Sequence, residues 1–308
     1  MGQIFYWVLN MTIVGSLVGI ILLAIRTIRK LPRNLIYGLY SILLIRLISP
    51  FGIVNGFSFL NLLPKGMIRQ VDLVTGETGL QDSSLILSNV IQSAKTYQPL
   101  QQRSSGWTLA YEVGATVWLI VGIALILCYL FMYIQAKQEL KNAIRIEDGI
   151  YQSEVVSSPI TVGILKPIII LPLELNRESA NYPYVIAHER THIKKKDNFF
   201  RIIAIIITCI YWFNPLMWIL QRCFFTDMEL ACDESTIRAL DSNGRRKYAQ
   251  ALLTMSVKKP LIYATGFTGG SVKVRIKRVI SYKQITLLSG ICLLGFFIVC
   301  AICLLSNK

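Results

Sequence analysis

Four long apolar runs constrain this sequence more than any other feature: Ile4 to Ile25, Leu35 to about Phe57, Trp107 to Ile134, and Ile285 to Leu305. A helix of about 20 apolar residues crosses the roughly 30 Å hydrocarbon core of a bilayer, so each run is long enough to span one. Hydrophobic residues make up 54% of the 308-residue chain and charged ones only 16%. That excess is gathered into the runs, which excludes an ordinary soluble domain. The first run is too long, and its start too weakly cationic, for a cleaved signal peptide.

The charges orient the runs. The connector Arg26 to Arg33 (RTIRKLPR) carries four basic residues and no acid, and loops of that kind stay cytoplasmic. Residues 1–60 are therefore expected to form a hairpin of two spans, 61–106 an extracellular loop and 107–134 the third span. Residues 135–284 form a cytoplasmic domain, and 285–308 the fourth span with a short outer tail, so both termini lie outside. The inner segment holds most of the Lys and Arg behind the net charge of +15, while the outer loop is nearly neutral.

Of the seven cysteines, Cys128, Cys292, Cys300 and Cys303 fall in the runs and Cys209, Cys223 and Cys232 in the inner segment. None lies in the outer loop, where a disulfide could persist, and they read as buried small hydrophobes. Arg46 and Glu112 are charges within runs. A pair between them would join the second and third spans, and snorkelling to an interface accounts for them equally.

The chain has only two histidines, His188 and His192, in the segment YVIAHERTHIKKKDN. On a helix, positions i and i+4 share a face, so both imidazoles can reach one metal ion. Glu189 projects beside the ion's open position, where it can take a proton from water. Pro183 suits the first turn of such a helix, and Ser179 or Asn181 can cap it. Imidazole and carboxylate donors with an open position suit zinc, one ion per chain.

A catalytic zinc takes a third protein ligand, here a carboxylate or a cysteine because no third histidine exists. In TDMELACDE, Thr226 to Glu234, Glu229 and Asp233 share a helical face. We assign Glu229 as the ligand and Asp233 as the acceptor for a free ring N–H of one histidine. Asp227, Glu234 and Cys232 stand as alternative ligands.

Phe199 to Phe225 lies between these half-sites and is apolar enough to look like a fifth span. A single crossing would set His188 and Glu229 roughly 30 Å apart on opposite faces, too far to share an ion about 2 Å from each donor. Asn214-Pro215 breaks the run, because the residue before a proline leaves the helical region. A helical hairpin over 199–225, sunk against the membrane, returns the chain to the same face.

Four stretches together resemble the BlaR/MecR family of membrane-embedded zinc peptidases, the antirepressor transducers of beta-lactam sensing. They are SSPITVGILKPIIILP (Ser157 to Pro172), AHERTHIKKKD (Ala187 to Asp197), YWFNPLMWIL (Tyr211 to Leu220) and DMELACDE (Asp227 to Glu234). The likeness covers nearly all of the chain. It implies a mainly α, polytopic protein of the bacterial cell membrane, with four transmembrane helices and a gluzincin-like α+β zinc peptidase domain between the third and fourth. It also implies that His188, His192 and Glu229 hold zinc and that Glu189 is the general base. Family transducers carry an extracellular penicillin-binding sensor domain after the last span, where this sequence ends. The signal is then expected to enter through the loop 61–106, the spans, or an extracellular or membrane sensor partner.

As substrate the resemblance suggests a cytosolic winged-helix repressor of the BlaI/MecI type, cut in a cell-envelope or antibiotic response. An HtpX-like quality-control protease and a non-catalytic, metal-stabilised signalling scaffold are the alternatives. No DNA-reading module appears, so direct nucleic-acid binding is not expected, and Lys194 to Lys196 reads as a solvated or lipid-facing cluster. A developing oxyanion needs a donor, for which Asn198, Arg245 and Tyr248 are candidates. Short strands are expected at Ile160 to Val162 and Ile168 to Leu171, with an edge open to an added substrate strand. The basic tract Phe267 to Lys283 reads as an anchor to anionic lipid and, by the resemblance, as a place where self-cleavage could fall.

Overall fold

Two apolar helices joined by the basic connector begin the structure, a computed structural model that describes residues 2–28, 31–48, 53–54, 105–256, 272–282, 295 and 306–307. They are α1 (Gly2–Arg26) and α2 (Arg33–Ile48). Arg26 closes α1, where a cation suits the carbonyl end, and Pro32 stands just ahead of α2. The third helix, α3 (Ser105–Glu139), runs on into a 3-10 turn, Leu140–Asn142, and the two together carry the one described segment long and apolar enough to cross a membrane by length and composition, Glu112–Asn142. Ile120, Leu127 and Phe131 on it are exposed. The apolar parts of α1 and α2, Met11–Arg26 and Arg33–Ile45, are shorter.

Several expectations fall outside the described residues: the loop 61–104, the side chain of Arg46 with its pairing to Glu112, and the fourth span apart from position 295. Beyond α2, Ile53–Val54 pairs in parallel with Ser306–Asn307.

A four-stranded sheet follows, built of β1 (Ile144–Glu147), β2 (Ile150–Ser153), β3 (Ile160–Val162) and β4 (Ile168–Pro172) in the order β1-β2-β4-β3. β2 and β4 run parallel and the outer pairs antiparallel. β3 and β4 are the expected strands. Their turn needs Gly163, whose φ is 101° and where a Cβ would meet Lys166 O at 2.8 Å. The β1–β2 hairpin was not expected, although Asp148-Gly149 carries the Asp-Gly turn signal for it. Ile169 and Leu171 of β4 bury one sheet face with Ile150, Val185 and Ile186. β3 is left as an edge.

Five helices come next: α4 (Tyr182–Lys195), α5 (Asp197–Ile210), α6 (Pro215–Ile237), α7 (Ser242–Ser256) and α8 (Val272–Ile280). α5 and α6 form the hairpin that the break at Asn214-Pro215 predicts. Asn214 is extended, its Oδ1 accepts the Leu216 N–H at 3.0 Å, and Pro215 starts α6, so neither end of the turn wastes a donor. The turn packs among the first three helices. Trp118 donates to Ile210 O at 2.8 Å, Tyr211 to Leu47 O at 3.1 Å, and Asn214 to Ser16 Oγ at 2.8 Å. Gly15 and Gly19 let α1 approach Met217 and Leu220 of α6 closely. At about 1.5 Å rise per residue, Leu47 lies about 20 Å along α2 from Arg33, so the hairpin runs deep beside these helices and returns.

Its returning end meets the basic connector. Asp227, fully buried, accepts from Arg26 Nε at 2.7 Å and Arg33 Nη1 at 2.9 Å, and Glu234 accepts the Arg33 N–H at 2.7 Å. One carboxylate thus pins α1, α2 and α6 together. Removing one partner from a buried ion pair leaves the other desolvated and costs about 3–5 kcal/mol. Asp227→Ala should therefore lose about 3 kcal/mol of stability, seen as a sharp fall in the thermal unfolding midpoint of detergent-solubilised protein.

Candidate metal centre

Both histidines and Glu189 are buried on α4, with Pro183 in its first turn and Asn181 at the cap position without a side-chain bond. The two Nε2 atoms stand 3.2 Å apart. They face each other because each ring's Nδ1 is engaged from behind. α4 ends at Lys196, a left-handed residue at φ 57° whose N–H returns to His192 O and Ile193 O. α5 starts at once, and its first residue, Asp197, places Oδ2 2.6 Å from His192 Nδ1. Behind His188, the Tyr248 hydroxyl on α7 lies 2.8 Å from Nδ1 and donates to Asp233 Oδ1 at 2.7 Å. Asp233 itself is 3.4 Å from that nitrogen, so Tyr248 shares the role expected of Asp233 alone. Asp197 was missed; its signal was an acid two residues past the end of the histidine helix.

Glu229 faces the opposite side of the rings, with Oε2 3.7 Å from His188 Nε2 and Oε1 3.7 Å from His192 Nε2. Cys232 competes, because His188, His192 and Cys232 also bring donor atoms within 4.8 Å of one another. The nitrogens distinguish the two sets. The Cys232 sulfur lies 3.6 Å from His188 Nδ1, which already meets Tyr248, and its S–H donates to His188 O at 3.4 Å. The carboxylate faces both Nε2 atoms at once and is the better fit. Asp227 and Glu234 are taken up at the connector.

Glu189 Oε2 accepts from Thr161 Oγ1 of the edge strand β3 at 2.7 Å. Asn198 donates to Thr161 O and Gly163 O, both at 3.0 Å, and so secures that strand. Arg245 donates to Leu240 O, Asp241 O and Tyr282 O. With Tyr248 behind His188, none of the three expected oxyanion donors faces the Nε2 atoms. Arg275 of α8 does. Its Nη2 is 3.3 Å from His188 Nε2 and its Nη1 3.4 Å from Glu229 Oε2, while Nε and Nη2 grip Asp233 at 2.7 Å each. Part of the basic tract, read from the sequence as a lipid anchor, thus turns inward to the histidines. Val279, buried four positions on, marks the inward face of α8 and was the available signal for Arg275. Lys195 likewise leaves the solvated cluster, donating to Asn34 Oδ1 at 2.6 Å and Ala231 O at 2.7 Å.

The family model for BlaR1 peptidase M56 matches residues 6–280. The chain belongs to that family. Regulatory protein BlaR1 of Bacillus licheniformis is 34% identical over 139 residues, covering 43% of this chain and 23% of the relative. The methicillin resistance mecR1 protein of Staphylococcus aureus is 27% identical over 162 residues, covering 50% and 28%. Regulatory protein BlaR1 of Staphylococcus aureus is 23% identical over 222 residues, covering 62% and 38%. The matched part thus spans well under half the length of these relatives.

A metallopeptidase of the M56 family needs a metal, and the electrostatics here fit one. Burial opposes charge on His188, yet the Cys232 sulfur and the Glu229 carboxylate outweigh it and push its pKa up to about 10. Burial is outweighed by the same two groups at His192, which is also raised. For Glu229 burial works upward, but His192, His188 and Arg275 hold its carboxyl well below the usual range. Such a dry, anionic pocket calls for positive charge between the Nε2 atoms, which a divalent cation supplies in place of protons. In metal-free M56 protein, the raised His188 pKa stabilises the fold fully below its ordinary 6.5, and that contribution is lost as pH rises through about 10. Chelator-treated protein should therefore unfold at lower temperature as pH climbs across this interval. Metal affinity should rise across it, because binding displaces the protons; melting curves and metal titrations check the two slopes.

Proposed function

We propose that the chain is an integral-membrane zinc endopeptidase that passes a signal inward by cutting a cytosolic protein, a winged-helix repressor of the BlaI/MecI type. The observation that carries the reading is the convergence of His188 Nε2, His192 Nε2 and both Glu229 oxygens, with Glu189 alongside on the same helix. His188, His192 and Glu229 are the ligands in this reading. A zinc ion held there supplies Lewis acidity to a peptide carbonyl and to the attacking water.

The protein's own groups do the rest. Glu189 takes a proton from that water and delivers it to the leaving amine; Thr161 fixes one of its oxygens and leaves the other for the transfer. A substrate segment pairs with the edge of β3 by taking the Thr161 and Gly163 carbonyls from Asn198, which holds them in the free protein. Arg275 supplies the cation nearest the reacting carbonyl, in place of Asn198, Arg245 or Tyr248.

Four spans and a cytoplasmic site complete the proposal. Asp227 and Glu234, close in sequence to Glu229, sit on the basic connector, which the positive-inside rule keeps in the cytoplasm. The pairing of Ile53–Val54 with Ser306–Asn307 agrees with both segments lying on the other side. The α5–α6 hairpin is then a re-entrant element at membrane depth, and its exposed apolar residues Phe199, Ile206 and Ile219 face lipid.

Glu189→Gln should keep zinc and lower cleavage by about a thousandfold. Comparative proteomics of wild type against this variant should reveal a cytosolic product that disappears; wild-type signalling by the variant would refute a protease role. The third ligand separates by substitution. Glu229→Ala should lose zinc in equilibrium dialysis, whereas Cys232→Ala should retain it, and the reverse pattern would move the assignment to the thiol.

A further inference from the structure

We infer that the first turn of α2 is part of the metal centre and that Tyr37 is a positioning residue for His192. The inference rests on reading His188, His192 and Glu229 as metal ligands, and it adds a way for an apolar helix to act on them. Tyr37 OH donates to Asp197 Oδ1 at 2.7 Å, while Asp197 Oδ2 meets His192 Nδ1 at 2.6 Å. One carboxylate therefore joins a phenol on an apolar helix to a ligand ring, and all three side chains are buried.

The neighbours of Tyr37 widen the attachment. Arg33 binds Asp227 and Glu234 on α6. Asn34 Oδ1 accepts from Lys195 Nζ of α4 at 2.6 Å and from Ser235 Oγ of α6 at 3.1 Å. The Tyr37 ring stacks on Phe224 of α6, centroids 5.4 Å apart. A single turn of α2 thus grips the helix carrying both histidines and the helix carrying Glu229.

The physical consequence follows from how a carboxylate orients an imidazole. A ring N–H bound to an acceptor fixes the tautomer and the ring plane and raises the basicity of the far nitrogen. Asp197 can do this only while its own plane is held, and Tyr37 holds the oxygen that His192 does not use. Helices in switching proteins shift by about 1–2 Å, enough to break a hydrogen bond of this length. A displacement of α2 is then felt at His192 without any motion of α4 being imposed directly.

Zinc affinity of the full chain in detergent, measured against a chromophoric chelator, tests this. Tyr37→Phe keeps the ring and removes the donor, and should weaken zinc by about tenfold. Asp197→Asn should weaken it at least as much, and the double variant no further than Asp197→Asn alone. Tyr211→Phe also loses a buried hydroxyl, one bonded to Leu47 O, and should bind zinc as wild type does. If Tyr37→Phe matches wild type while His192→Ala loses zinc, the inference is overturned and the metal centre stands. Losses that simply add in the double variant, or an equal loss in Tyr211→Phe, overturn it too. A wild-type chain that takes up no zinc removes the centre and the inference together.

Discussion

Two imidazoles on one helix can share one ion only if each turns an unengaged ring nitrogen toward the same point, and here that condition is met from behind. Asp197 takes the Nδ1 side of His192, and Tyr248, backed by Asp233, takes the Nδ1 side of His188. The facing Nε2 atoms are the result. Each restraining group comes from a different element: Asp197 starts α5, Tyr248 sits on α7 and Asp233 on α6. The centre is therefore a junction of helices rather than a property of the histidine helix alone. Its burial strengthens every one of these contacts, because few water dipoles remain to compete.

The junction holds because the long α6 can return to where α4 ended. Asn214 and Pro215 turn the apolar hairpin, and Asp227 locks the returning helix onto the arginines of the connector. Hydrophobic burial along α1, α2, α5 and α6 supplies the bulk of the packing, while the ion pairs choose its register. The candidate metal-binding groups and the apolar helices are in consequence one packed unit among the described residues.

Arg275 brings a further segment into that unit. A guanidinium that grips Asp233 and stands close to His188 and Glu229 places positive charge beside the facing Nε2 atoms. Three other cationic residues of α8, Lys273, Lys277 and Arg278, belong to the same run, and the sequence hints at which will turn inward only through Val279, four positions past Arg275. Only the packing of Val279 and Ile276 against α7 decides that face.

Local patterns carried a good share of this. The HExxH spacing set two imidazoles on one helical face with a carboxylate beside them, Asn214-Pro215 marked the hairpin, and Gly163 with Lys166-Pro167 marked the β3–β4 turn, since each depends on backbone periodicity or on a residue's own dihedral limits. The Asp148-Gly149 hairpin was legible in the same way and was overlooked. What only the tertiary structure decided are the contacts between residues far apart in the chain: Tyr37 with Asp197, Arg26 and Arg33 with Asp227, Arg275 with Asp233, and Glu229 rather than Cys232 before the Nε2 atoms. Glu229, Cys232 and Asp233 are near neighbours on one helix, and sequence spacing cannot say which ring nitrogen each of them meets until α4, α6 and α8 are packed.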